Sequence, residues 1–138
     1  MVVTLVGFIW ETELAMFKIK HFLDASEPDD GERIWIEPIG ITRDLRQMCN
    51  VTNVLSHYGP PVSLWEWFEK HPDGYEYFRA QYHEHLAKGP HAEGLKELVF
   101  TALRSNITLL HQGDDPARNT ATALYEFLSE LEAYIQPE

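Results

Sequence analysis

"NITLLHQGDDPARN", residues Asn106 to Asn119, joins an apolar run to a polar loop at the centre of the chain's architecture. Its first part, Ile107 to Leu110, is a short apolar run containing β-branched residues. A run this short, bounded by turn residues, reads as a strand buried on both faces, the pattern of a parallel sheet rather than of a half-solvated hairpin. Its second part holds Gly113, Asp114, Asp115 and Pro116, which end the strand. On either side the period changes. Upstream, Leu95, Leu98, Val99, Ala102 and Leu103 recur at i, i+3, i+4, i+7 and i+8, which gives an amphipathic helix over His91 to Arg104. Downstream, Leu124, Phe127, Leu128, Leu131 and Ile135 form one helical stripe. Helix, buried strand and helix in succession predict an α/β domain with the late strand central and parallel to a neighbour.

The rest of the chain supplies that strand's neighbours. Phe17, Ile19 and His21 alternate with Lys18 and Lys20, a half-buried strand. Asp24 to Glu32 is a polar loop, and Arg33 to Glu37 is a second strand, stopped by Pro38 and Gly40. Thr42 is positioned to cap a short helix ending at Cys49 or Asn50. "YGPP", Tyr58 to Pro61, breaks the chain. Ser63 with Glu66 three residues on reads as a capping box, and Asp73 as the cap of a further helix that places Tyr75, Phe78, Tyr82 and Leu86 on one face before Gly89 and Pro90. The expectation is one compact α/β domain over residues 16–138, with a small, mostly parallel or mixed sheet and flanking helices. Residues 1–15 read as an extension. Within it, Val2 to Trp10 is apolar and β-branched, an extra strand for this sheet or for a partner chain's, and a homodimer on that edge follows as an expectation.

Composition narrows the function. At 138 residues, 44% hydrophobic and 12% aromatic, the chain has enough apolar side chains for a core without metal or disulfide. Its 22 acidic residues against 11 basic ones give a net charge of −11, which argues against a general nucleic-acid or anionic-membrane surface. A small anion held locally is still compatible. Cys49 is the only cysteine and has no local base to activate it, which fits a small packed residue in a reducing cytoplasm. The first ten residues lack a basic leader and a cleavage site, so no signal peptide or membrane span is read there.

Three stretches carry a family resemblance. "MFKIKHFLDASEPDDGERIWIE" (16–37) holds a strand, a Pro/Asp/Gly loop and a strand led by Arg. "GPPVSLWEWFEKHPDGYEYFRAQYHEHL" (59–86) holds an ordered Pro, Trp-Phe, Pro, aromatic, Phe-Arg, Tyr series. "ITLLHQGDDPARNTA" (107–121) holds a strand followed by Asp, Asn and Ala. In that order and spacing they resemble the domain of unknown function 488 family, in its short YeaO-like branch. The resemblance implies a compact α/β domain and no established activity. It matches Asp115 and Asn119 to the family's Asp and Asn after the late strand, with Arg33, Trp67, Phe68, Pro72, Phe78, Arg79 and Tyr82. It also shows losses. Where the branch carries an Asp-Arg pair and then Trp-Pro-Arg-Gly, this chain has Glu37, Pro38, Ile39 and Gly40, and where it carries a further Arg this chain has Trp65.

Candidate site residues follow from position. Open α/β sheets bind ligands outside the carboxyl ends of their strands, which singles out Glu37, His111, Asp115 and Asn119. Asp115, just before Pro116, suits the N-cap of the last helix. Asn119, a poor residue inside a helix, is expected to hold a fixed polar contact, to a ligand or to the loop at Pro38 to Gly40. Trp65, off the apolar stripe of its helix, is the candidate for an exposed contact. Glu37 and Asp115 would share a pocket if their strands are neighbours. Asp114 beside them favours a cation or a polar neutral ligand over an anion. "HEH", His83 to His85, lies mid-helix with its histidines about 200° apart, so it forms no metal pair; no Cys/His cluster, dinucleotide loop or nucleophile elbow is present, and no cofactor is implied. Two functions stay open: a non-catalytic or divergent family member, and a small-molecule-binding protein or enzyme with a polar pocket at the strand ends. A filled strand end favours the first, and convergent free polar groups the second.

Overall fold

The structure, a computed structural model, describes residues 15–135, without the side chain of Ile135. The expected strand at Val2 to Trp10 lies outside the described residues. Four strands, β1 (Phe17–His21), β2 (Glu32–Trp35), β3 (Asn53–Val54) and β4 (Ile107–His111), form one sheet in the order β1-β4-β2-β3. Every pairing is parallel. The late strand is central as expected: Ile107 to His111 pair with Phe17 to His21 on one side, and Ile107 to Leu110 with Glu32 to Trp35 on the other. All five of its residues are buried. β3, unread in the sequence, is two residues long and exists by pairing with Ile34 and Trp35.

The side-chain alternation of the strands divides the core. Ile34, Ile36, Ile107 and Leu109 join the larger cluster, and Trp35 and Leu110 join a smaller one with Val51. Successive strand residues point to opposite faces, so each cluster belongs to one face of the sheet. The larger cluster is completed by helices α2 (Val62–Lys70), α3 (Tyr75–Lys88), α4 (Ala92–Ala102) and α5 (Thr120–Ile135). α3 buries Tyr75, Phe78, Tyr82 and Leu86, and α4 buries Leu95, Leu98, Val99 and Ala102. Each large apolar side chain so buried contributes about 1.5–3 kcal/mol of transfer free energy. The smaller cluster is covered by Phe22, Ile39, Ile41 and Cys49, beside the short helix α1 (Arg43–Met48). Thr42 caps α1 as read, its Oγ1 accepting from the Leu45 N–H at 3.2 Å.

Two other caps differ from the sequence reading. α2 starts at Val62 with Pro61 at the N-cap and no side-chain cap, so Ser63 lies within the first turn. Pro61, with φ −55°, directs the chain into the helix, and its carbonyl accepts from the Trp65 N–H. α3 is preceded by Gly74 rather than capped by Asp73; the tight turn from His71, closed by the Gly74 N–H to the His71 carbonyl, sets its start.

The loop before β2 is anchored by charge. Its 3-10 turn, Pro28–Asp30, delivers Asp30, 1% exposed, under the sheet. There it accepts from Lys18, Lys20 and Arg33, the last at 2.7 Å. Arg33 is also 1% exposed and spends its remaining donors on the carbonyls of Phe22, Asp24 and Cys49. Burial alone would raise the Asp30 carboxyl, but hydrogen bonds from Lys18, Lys20, the Glu27 N–H and Arg33 hold it well below the usual range. Gly31 follows at φ 63°, where a Cβ would lie 1.9 Å from the Asn106 carbonyl oxygen. Only glycine suits both the dihedral and the space.

Candidate functional site

Because all strands run parallel, their carboxyl ends open on one side of the sheet, where the chain leaves β2 through Ile36 and Glu37 and β4 through Gln112. Glu37 is 1% exposed. A buried carboxylate needs several donors, and the surrounding elements provide three. The Trp65 indole N–H, from α2, donates to Oε1 at 3.0 Å. The Gln112 backbone N–H donates to Oε2 at 2.8 Å. The hydroxyl of Thr120, at the start of α5, makes the third bond. All three donors are neutral, and Glu37 enters no ion pair among the described residues. Burial raises its pKa above the ordinary glutamate value of 4.5, against the opposing pull of the bonds from Gln112, Thr120 and Trp65.

Trp65 is therefore half-buried and internally bonded, not the exposed contact expected of it. Asp115 shares no hydrogen-bond partner with Glu37 and lines a surface notch that Glu37 does not. The carboxylate of Asp115 instead accepts from the N–H groups of Ala117 and Arg118, at 2.9 and 3.2 Å, and closes the turn before α5. These bonds, led by that from Ala117, lower its pKa. The cap of α5 is Asn119, contrary to the sequence expectation: its Oδ1 accepts from the Thr122 N–H at 2.8 Å and its carbonyl from the Ala123 N–H. Its Nδ2 donates back to the Asp115 carbonyl at 2.9 Å. The side chain, 1% exposed, thus serves its own loop and not the Pro38 to Gly40 segment. Two adjacent motifs stack: Asp115 caps the turn, and Asn119 caps the helix that the turn leads into.

His111 is buried with Nδ1 2.9 Å from the Gly113 carbonyl and its ring edge-on to His21 at 5.4 Å. Burial lowers its pKa below 6.5, which keeps the ring neutral at neutral pH. Its partners and those of Glu37 are separate. The structure thus brings Glu37 and Trp65 together, and Asp115 with Asn119, but does not gather the five into one pocket. The sequence reading missed Gln112 and Thr120, the donors that hold Glu37; a backbone N–H leaves no trace in the sequence, and Thr120 reads as an ordinary first-turn residue.

Beside this closed centre lies a surface notch of about 390 Å³, lined by Glu69, Gln112, Asp114, Asp115 and Arg118 among others. Its charged groups are three carboxylates and one guanidinium.

A family model described as the inactive DUF488-N3 subclade matches residues 16–136. The chain belongs to the DUF488 family. The match begins one residue before β1 and spans the four strands and five α-helices of this DUF488 domain among the described residues. No curated protein and no solved structure gives a match. Among the described residues of the DUF488 domain, no helix is long and apolar enough to cross a membrane.

Proposed function

We propose that this DUF488 protein is a non-catalytic member of its family, with a strand end that serves the fold instead of a reaction. The observation that carries the reading is the enclosure of Glu37, 1% exposed with donors on both of its oxygens. Three neutral donors from its own chain occupy the carboxylate. A general base needs a free lone pair within reach of substrate, and here Trp65, Gln112 and Thr120 take up three acceptor positions of a carboxylate that is buried from solvent. The resemblance places an arginine where Trp65 stands. A neutral indole keeps a hydrogen bond to the acid and removes the charge that would hold an anion. The description of the matched subclade as inactive supports the same reading.

Thermal-shift screening against polar metabolites and divalent metals tests it. A ligand at 100-fold its Kd stabilises by about 2.7 kcal/mol, well within detection. The reading expects no stabilisation that depends on Glu37; a hit abolished by Glu37→Gln contradicts it. A second reading rests on the neighbouring notch, where Glu69, Asp114 and Asp115 outnumber Arg118 and suit a small cationic or polar neutral ligand. A hit abolished by Asp114→Asn but indifferent to Glu37→Gln supports that one.

A further inference from the structure

The opposite end of the sheet carries an unexpected concentration of positive charge. A depression of about 560 Å³ opens at the amino ends of β2 and β3, lined by Ser26, Gly31, Thr52 and a set of basic and amide side chains. Three of the chain's six arginines, Arg33, Arg43 and Arg46, line it, and no acidic residue among the described ones does. In a chain with a net charge of −11, that is a local inversion of sign.

The three arginines differ in what they have left to give. Arg33 is committed to Asp30 and to three carbonyls and forms the floor. Arg46 is held in place by Nε and one Nη, which donate to the Val51 and Thr52 carbonyls at 3.3 Å each. Its other Nη has no partner among the described residues. Arg43 has neither a hydrogen bond nor an ion pair among them. Arg43, Arg46 and Gln47 fall at i, i+3 and i+4 on α1, hence on one face. Asn50 follows the helix at φ 54°, a left-handed conformation in a non-glycine residue, and its amide also lines the depression.

We propose that this depression binds the phosphate group of a small hydrophilic phosphomonoester. Two guanidinium groups and two amides offer more donors than one carboxylate can accept, whereas a phosphate dianion presents three acceptor oxygens and two charges. The volume exceeds that of phosphate alone and leaves room for the group that carries it. No aromatic side chain lines the depression, so it offers no platform for a nucleobase. Val51 is its one branched apolar residue, which favours a polyol or sugar carrier over a lipid. The site lies at the amino ends of the strands, away from Glu37, and so is independent of whether the carboxyl end is catalytic.

Titration of the full chain with inorganic phosphate and glycerol phosphate, followed by backbone amide NMR, tests the proposal. Saturable shifts centred on Arg43, Arg46, Gln47 and Asn50 are expected with both. Arg43→Glu/Arg46→Glu is expected to weaken binding by about tenfold or more. Since Arg46 also braces the chain at Val51, Arg43→Glu/Gln47→Glu provides a second variant whose altered side chains hold no hydrogen bond among the described residues, and it is expected to weaken binding likewise. Lys88→Glu on α3 is the control and is expected to leave affinity unchanged. No saturable shift overturns the proposal, as does an equal loss in the Lys88 variant. A single-stranded RNA oligonucleotide that shifts these amides while the small phosphates do not overturns it as well.

Discussion

Replacing Trp65 by Phe removes the indole N–H together with part of the ring, and the pH dependence of the loss separates the bond to Glu37 from the lost packing. Hydrogen bonds to charged groups contribute about 1.5–3 kcal/mol each. Trp65 is half-buried, so water can reach the vacated position in part, which puts the expected loss near the lower limit, about 1.5 kcal/mol at pH 7. The pH dependence has a definite sign. The folded pKa of Glu37 is raised above its unfolded value, so burial of the acid is tolerated best where it is protonated and costs stability as pH rises through the folded pKa. The indole bond acts mainly on the charged form, and its removal raises that pKa further. The gap between wild type and Trp65→Phe is therefore widest at pH 7 and narrows as pH falls toward 4.5, the ordinary glutamate value. Urea melts followed by circular dichroism at a series of pH values measure this. A loss below about 0.5 kcal/mol at pH 7, the level of an ordinary surface substitution, or a gap that widens on acidification, would refute the reasoning.

Asn119→Ala removes the cap of α5 and the bond to the Asp115 carbonyl, an expected cost of about 1–2 kcal/mol in denaturant melts, and Asp115→Ala is expected to cost less because it caps only the preceding turn. Gly31→Ala meets both a positive φ and the Asn106 carbonyl, so its melting midpoint should drop by the equivalent of at least about 1 kcal/mol. Asp30→Ala leaves Arg33 buried without its carboxylate, and a loss of about 3–5 kcal/mol is expected. Since the folded pKa of Asp30 is depressed below 3.8, its contribution is present above that pH and is lost as pH falls below it, so the deficit of the variant should shrink in acid melts.

The elements that the sequence revealed are those with a clear period. The doubly buried run at Ile107 to Leu110 placed the central strand, and the stripes of α3 and α4, with Leu124, Phe127, Leu128 and Leu131 of α5, emerged in or against the core. What escaped was decided by tertiary contact. Asn53 is a poor strand former, and β3 forms only because β2 lies alongside it. Asp115 followed by Pro116 satisfies the usual rules for a helix start, but so does Asn119, and nothing local says that the first closes a turn and the second begins the helix. Ser63 fits a capping box until Pro61 sets the chain direction two residues earlier. Position picked out Glu37, yet its meaning depends on its partners. A carboxylate at a strand end reads as chemistry when its lone pairs are free and as structure when Trp65, Gln112 and Thr120 occupy them. Asp30 was hidden for a related reason, since a loop of acidic residues reads as solvated until lysines from β1 and Arg33 converge on one of them.

Hydrogen exchange at the Trp65 indole N–H and the Gln112 backbone N–H tests the closure of the strand end most directly. Both donate to the buried carboxylate of Glu37, at 3.0 and 2.8 Å. The account predicts that both exchange slowly relative to an exposed N–H, and that Glu37→Ala releases both together. Exchange of either group in the folded wild type at the rate of an exposed N–H would contradict it, because the carboxylate would then be open to solvent and free to act on a ligand.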